Sequence, residues 1–151
     1  MDEGLDLGIL PELLGYQLRR AQLTVFQHFA STLGDQNVSP GQVGLLVLVS
    51  RNPGISQTAL AKAVGVERST LGEAIDRLLK RRLLVRKSAP KDRRSYALRL
   101  SASGEKFLDD FVPRLLRHED DVAGRLSPEE RKTLIALLRR LAETRPGGDS
   151  L

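Results

Sequence analysis

The chain has 151 residues, which is enough for one domain with its own hydrophobic core. It contains no cysteine and two histidines, and this argues against disulfide scaffolds, thiol redox switches and zinc sites. No cofactor is expected. The sequence has neither a run of about 18 apolar residues nor a signal-peptide pattern, so we predict a cytoplasmic protein without a membrane span.

The positive charge of the chain is concentrated in one segment. Residues 67–100 contain eleven Lys or Arg and four Asp or Glu residues, whereas the stretches on either side are both slightly acidic. A basic stripe confined to one segment is expected of a surface that binds phosphates. The alternative is a solvated basic face without a partner. The secondary structure predicted for the segment favours the first interpretation.

Two helices are predicted before this segment. Apolar residues at three- and four-residue spacing predict one long helix over residues 9–33, ended by residues 34–37. Ser39 then precedes a proline at the first helical position and Gln42 at the third, which is the pattern of a capping box. The apolar run that follows predicts a buried helix over residues 42–51.

Two shorter helices come next and include the start of the basic segment. Ser56 is expected to cap a helix over residues 57–63, and Gly65 to end it. Residues 68–81 form a second amphipathic helix whose inward side carries Leu71 and Leu78. Two helices joined by a short turn that contains glycine make a helix-turn-helix.

The pattern then changes from helical to alternating. Residues 84–87 and 95–100 are predicted strands joined by the basic turn 89–94, and a hairpin in this place is a wing. A long helix over residues 103–124 follows, which Pro113 should kink or interrupt. Ser127 caps a last helix, and residues 146–151 are a predicted flexible tail. The fold class is mainly α with a small β-hairpin.

The second helix of a helix-turn-helix enters the major groove of DNA, where its first residues touch base edges. Arginine can bind guanine, Ser and Thr can bond a base or a phosphate, and Glu can accept from cytosine. Arginines of a wing suit the narrow minor groove, and an aspartate among them is expected to pair with one, Arg94, and shape the loop. The candidate DNA-binding residues are Arg68, Ser69, Thr70, Glu73, Arg77, Arg81, Lys91, Asp92, Arg93 and Arg94.

The order of elements resembles the MarR family of bacterial transcriptional regulators, over about residues 8–145. Asp92 and Arg94 match the Asp-x-Arg pattern of that family's wing, and the run from Arg68 to Thr70 is similar to its recognition helix. The resemblance implies a homodimeric repressor that binds a pseudo-palindromic operator in double-stranded DNA. Glu73 and Arg82 depart from the family, which often has Arg and Gly there. Glu73 would change base preference or turn inward to a salt bridge, and Arg82 would adopt a left-handed conformation or end the helix differently.

The resemblance also implies a dimer interface and an effector. The terminal helices, within residues 1–36 and 102–145, would pair in the dimer, and residues 37–101 would bind DNA. The candidate interface residues are Leu10, Leu14, Leu134, Leu138 and Leu141. Small aromatic or phenolic acids commonly release members of this family from DNA, and the candidate pocket residues here are Tyr16, Arg20, Gln27, His28 and Phe111.

Four alternatives are weighed against this prediction. His28 can be a structural partner and not a ligand of the effector, and the terminal helices can cap a monomer. An enzyme is disfavoured, because the sequence shows no cluster of nucleophile, base and orienting group. The remaining alternative is a winged-helix architectural protein, or a protein- or RNA-interaction module, without a ligand response.

Overall fold

The computed structural model describes residues 4–89 and 92–143, and for residues 88–89 and 92–96 only the course of the backbone. The predicted tail lies outside the described residues. The elements, in chain order, are α1 Leu14–Leu33, α2 Pro40–Arg51, β1 Ile55–Ser56, α3 Gln57–Val64, α4 Arg68–Lys80, β2 Leu84–Ala89, β3 Asp92–Leu100, α5 Ala102–Val122 and α6 Pro128–Ala142. Within the described residues, no helix has the length and apolar character needed to cross a membrane. The predicted class, mainly helical with a small sheet, is confirmed.

The first helix is shorter than predicted. Leu10–Glu12 form a separate 3-10 turn, and Leu13 is extended, with φ −87° and ψ 124°, before α1 begins at Leu14. Pro11 lies in the short turn, where a residue without an N–H costs no hydrogen bond. The side-chain amide of Gln17 donates to the carbonyl of Pro11 at 2.7 Å and ties the turn to α1.

The predicted capping boxes are both present. The Ser39 hydroxyl accepts from the Gln42 amide at 3.2 Å, and the Gln42 side chain accepts from the Ser39 amide at 3.1 Å. Ser127 and Glu130 form the same reciprocal pair at the start of α6. These bonds satisfy N–H groups that a helix start otherwise leaves without a partner, so each box fixes where its helix begins.

The turns around α4 are set by left-handed residues. Gly65 ends α3 with φ 72°, as its position predicted. Arg82 follows α4 with φ 58°, so it takes the left-handed alternative. The amides of Arg82 and Leu83 donate to the carbonyls of Leu79 and Leu78, which is the bonding of a Schellman motif. A non-glycine residue in this conformation costs about 1 kcal/mol, and these bonds offset it.

The sheet contains one strand that the sequence pattern did not predict. The order of strands in the sheet is β1-β3-β2, and both pairings are antiparallel. The unpredicted β1 is two residues long, with Ile55 opposite Leu98 and Ser56 opposite Ala97. The wing strands pair from Leu84 opposite Leu100 outward, and both are longer than predicted.

Two clusters of buried residues form the core. The larger joins α2, α3, α4, the sheet and Leu108 of α5. The smaller lies where α1, α2 and α5 meet and contains Phe29, Leu33 and Phe111. Phe107 of α5 packs against both clusters, so it lies at the boundary between the helix-turn-helix and the terminal helices.

Of the two effects expected of Pro113, an interruption of the helix is not found. α5 runs through Pro113 from Ala102 to Val122. Leu116 of α5 is 58% exposed. The described part of α6 contains no buried residue. The apolar surface of these helices is therefore left open within one protomer.

We expect Gly104→Ala to lower the free energy of unfolding by about 1–3 kcal/mol, the usual cost of overpacking a core. A Cβ at Gly104 would overlap the main-chain carbonyl oxygen of Leu83 and approach its carbonyl carbon to 3.0 Å. Gly44→Ala is the matched control, because its Cβ would meet nothing within 4 Å. Urea denaturation measures both variants; equal stability of Gly104→Ala and wild type would contradict this packing.

Candidate nucleic-acid interface

The first turn of α4 presents polar residues to solvent. Arg68, Ser69 and Thr70 are all exposed, whereas Leu71 in the same turn is 2% exposed. Glu67 occupies the N-cap position but accepts no capping hydrogen bond through its side chain. The amide groups that begin α4 are therefore open to an outside acceptor, such as a phosphate oxygen. The three predicted base-reading residues lie together on this open end.

Glu73 and Arg77 continue the exposed side of α4. They are four residues apart and therefore neighbours on the helix surface. Glu73 is exposed, so it takes the outward alternative and does not turn into the core. The next acidic residue, Asp76, lies 3.6 Å from the Arg86 guanidinium of β2. This ion pair links the recognition helix to the wing.

Arg81 differs from the other basic residues of α4 in what its side chain contacts. Its Nη1 donates to the Asn37 carbonyl at 2.8 Å, and its Nη2 to the Gln36 carbonyl at 3.0 Å. The guanidinium carbon also lies 5.8 Å from the ring centre of Phe107. The sequence shows the charge of Arg81, but these partners come from distant parts of the chain.

The wing tip is described only in part. Lys91 lies outside the described residues, and Asp92, Arg93 and Arg94 begin β3 with their side chains undescribed. Their roles stay predictions. The register of the hairpin shifts between Ser88, opposite Tyr96, and Ala89, opposite Asp92.

The predicted dimer-interface leucines are all exposed in the protomer. Their exposed fractions range from 39% to 61%, and they lie in the 3-10 turn, α1 and α6. Leu13 and Leu18 near the start of α1, and Leu137 in α6, are also exposed. Exposed apolar side chains that recur along a helix are candidates for an interaction surface.

A cavity of about 390 Å³ lies between α1, α2 and α5. Its lining is mainly apolar and includes Val25, Phe29 and Leu115, with His118 and Glu119 as its ionisable residues. None of the five predicted pocket residues lines it. His28 and Phe111 lie behind the lining, since His28 contacts His118 and Phe111 packs against Phe29. Gln27 is exposed, and the guanidinium of Arg20 lies 5.8 Å from the ring of Tyr16, nearer the start of α1.

The two histidines of the chain form a pair between α1 and α5. Their Nδ1 atoms are 2.6 Å apart, so one donates and the other accepts. His118 is 2% exposed, and its ring meets the ring edge of Phe29. The sequence analysis named His28 as a candidate pocket residue and did not identify His118. The two residues are 90 positions apart, so the pattern of the sequence does not show that they are partners.

The pKa of His118 is lowered below its ordinary value, first because burial disfavours the charged imidazolium and second because His28 is close. Glu119 and Asp121 oppose the shift. His118 is therefore held neutral in the fold, where it can bond a ligand or its partner histidine.

A second cavity, of about 720 Å³, separates α1 and the start of α2 from α4. Phe26, Phe29 and Pro40 line one side, and Arg77, Lys80 and Arg81 line the other. Phe29 and Pro40 border both cavities. This cavity therefore separates part of α1 from the last turns of α4.

A helix-turn-helix made of α3 and α4, followed by the hairpin of β2 and β3, defines a winged helix-turn-helix protein. Residues 36–95 match the model of the MarR family. A protein assigned as the transcriptional regulator of the hcr operon in Thauera aromatica is 41% identical over 129 residues, 85% of this chain and 78% of that protein. The chain belongs to the MarR family of transcriptional regulators.

Solved structures agree with this assignment. The transcriptional repressor CouR bound to a 23-mer DNA duplex has a TM-score of 0.87 and 37% identity to this chain, covering 92% of this chain and 99% of that one. CouR bound to p-coumaroyl-CoA has a TM-score of 0.86 and 34% identity, covering 93% and 99%. The predicted family is thereby confirmed.

We expect acid to destabilise the fold through His118. Because its folded pKa is lowered, the unfolded chain binds a proton more readily below the ordinary value of 6.5, and stability falls as pH drops through that range. The melting temperature should therefore fall between about pH 7.5 and 5.5. His118→Asn places a non-titrating amide near the position of the Nδ1 atom that bonds His28, so its decline should be smaller. An identical decline would exclude His118 as the source.

Proposed function

We propose that this protein is a homodimeric repressor that binds a pseudo-palindromic operator and is released by a small aromatic or phenolic ligand. The observation that carries the proposal is the open first turn of α4, with its three exposed polar residues. The repressor CouR, with the same fold over nearly the whole chain, has been solved on duplex DNA. Residues 1–36 and 102–145 serve dimerisation in this proposal, and residues 37–101 serve DNA binding.

Base reading is assigned to the exposed start of α4. Arg68 binds a guanine, Ser69 and Thr70 bond bases or phosphates, and Glu73 accepts from a cytosine. Arg77, one turn further along, contacts a phosphate and sets the orientation of the helix. In the wing, Lys91, Arg93 and Arg94 contact DNA, with the arginines in the minor groove and Asp92 shaping the loop.

The effector site is the cavity between α1, α2 and α5. Its apolar wall suits an aromatic ring, and His118 supplies a polar contact for a hydroxyl or acid group. The phenolic thioester on CouR supports a ligand of this class. The protein acts without catalysis and in the cytoplasm, where the operator DNA lies. The second candidate is a winged-helix architectural or protein/RNA-interaction module without ligand response.

Binding to selected DNA tests the function. We expect the wild-type protein to select a two-fold symmetric sequence from a random duplex pool. Arg68→Ala should lower operator affinity by about 1–3 kcal/mol and relax preference at one symmetric base pair. Measured affinities for every single-base operator variant check this. Retention of the wild-type preference would exclude base reading by Arg68, and failure of the wild type to select any sequence would favour the architectural candidate.

The dimer is tested separately. Leu138→Asp places a charge in the proposed interface, so we expect sedimentation equilibrium to show a monomer where the wild type is a dimer. Val64→Asp is the matched control, because Val64 is exposed to a similar extent, 40% against 39%, but lies at the end of α3. A Leu138→Asp protein that remains dimeric would remove α6 from the interface.

A further inference from the structure

The loop between α1 and α2 (residues 34–39) is held from two sides by arginines. Arg114 of α5 donates to the Asp35 carboxylate at 2.8 Å and to the Thr32 carbonyl at 3.1 Å. This contact lowers the pKa of Asp35 below its usual range, so the pair stays charged. Arg81 holds the other side of the loop through the carbonyls of Gln36 and Asn37.

The two carbonyls held by Arg81 lack ordinary helical donors. The group that would reach the Gln36 carbonyl in a continuing helix belongs to Pro40, which has no N–H. Asn37 is left-handed, with φ 52°, and its carbonyl accepts from Nη1 of Arg81. A fork of two parallel guanidinium donors matches two adjacent oxygens, and a lysine ammonium cannot reproduce it.

The contact with Phe107 gives Arg81 a third partner. Phe107 packs against both core clusters, and the guanidinium lies over its ring. Arg81 thus joins the end of α4 to the loop that ends α1 and to α5. The 720 Å³ cavity lies between α1 and the last turns of α4, and Arg81, which also lines this cavity, bonds the loop that follows α1.

We propose that Arg81 is a positioning residue that fixes the orientation of the recognition helix relative to the dimerisation helices, and thereby the spacing between the two half-sites. This rests on the proposed function. Two recognition helices fit an operator only when they lie about one helical turn of DNA apart. Non-specific binding does not need this spacing, because it depends on phosphate charge alone. Arg81 therefore affects operator binding by fixing the spacing of the recognition helices through contacts within the protein, and not by contacting a DNA phosphate.

The experiment compares Arg81→Met, Arg81→Lys and Arg77→Met on four duplexes. These are the operator that the wild type selects from a random pool, the same operator with one central base pair inserted or deleted, and a random duplex. We expect the wild type to lose tenfold or more on either spacing variant. Both Arg81 variants should lose about tenfold on the native operator, yet bind all three operator spacings within about threefold.

Salt dependence separates positioning from phosphate contact. Both Arg81 variants should keep the wild-type slope of log affinity against log salt. Arg77→Met, the charge-matched control, should reduce that slope by about 1 and keep wild-type discrimination of spacing. An Arg81→Lys protein with wild-type affinity, together with a lower slope in Arg81→Met, would identify a phosphate contact and overturn the proposal. Wild-type discrimination of spacing in both Arg81 variants would also overturn it.

Amide hydrogen exchange tests the contact between Arg81 and the loop (the clamp) in the absence of DNA. Exchange at residues 36–38 should be faster in Arg81→Met and Arg81→Lys than in the wild type, while α5 is unchanged. Unchanged exchange at residues 36–38 would show that Arg81 does not hold the loop. If the wild type selected no operator, the proposed function would fail, and so would the role in spacing, whereas this measurement would still report on the clamp.

Discussion

Burial of one side of α4 is the constraint on which the rest of the structure depends. Leu71, Ile75 and Leu78 are at most 2% exposed, and burying each such side chain is worth about 1.5–3 kcal/mol. Because a helix repeats every 3.6 residues, burying this stripe also decides which residues face outward. Arg68 and Arg77 are exposed for that reason. The hydrophobic core therefore determines which residues form the proposed DNA-reading surface, although no core residue belongs to that surface.

The far end of α4 is fixed mainly by backbone bonds. Arg82 turns the chain left-handed, and the Ser101 amide and hydroxyl donate to the carbonyl of Leu83 at 3.0 Å and 3.2 Å. Gly104 lets α5 approach that carbonyl closely. The start of β2, the end of β3 and the first turn of α5 are thus held together just beyond the recognition helix. The ion pair between Asp76 and Arg86 links the wing to α4. The recognition helix and the wing are therefore held in one arrangement relative to each other.

Local signals in the sequence predicted local structure well. Ser39 with Gln42, Ser127, and the glycine at 65 determine helix ends through bonds to near neighbours, so their effects can be predicted without a fold. The exceptions depend on distant partners. Ile55 and Ser56 form a strand only because β3 lies beside them. His118 becomes buried only because α1 packs on α5, and Leu13 is extended where spacing alone favoured a helix.

The same limit explains why charge alone does not assign a role to a basic residue. Arg77 and Arg81 lie one turn apart in a segment whose excess positive charge predicted a DNA surface, and the sequence gives no reason to separate them. In the fold, the chain leaves the helical conformation at Asn37, and the guanidinium of Arg81 donates to the carbonyls of Gln36 and Asn37. A guanidinium that bonds two adjacent backbone carbonyls is held in one orientation within the protein, whereas the side chain of Arg77 is exposed on the helix surface. In the proposed dimer, an arginine held in this way would keep the two recognition helices at the spacing of the two half-sites. Its charge in the sequence does not reveal that role.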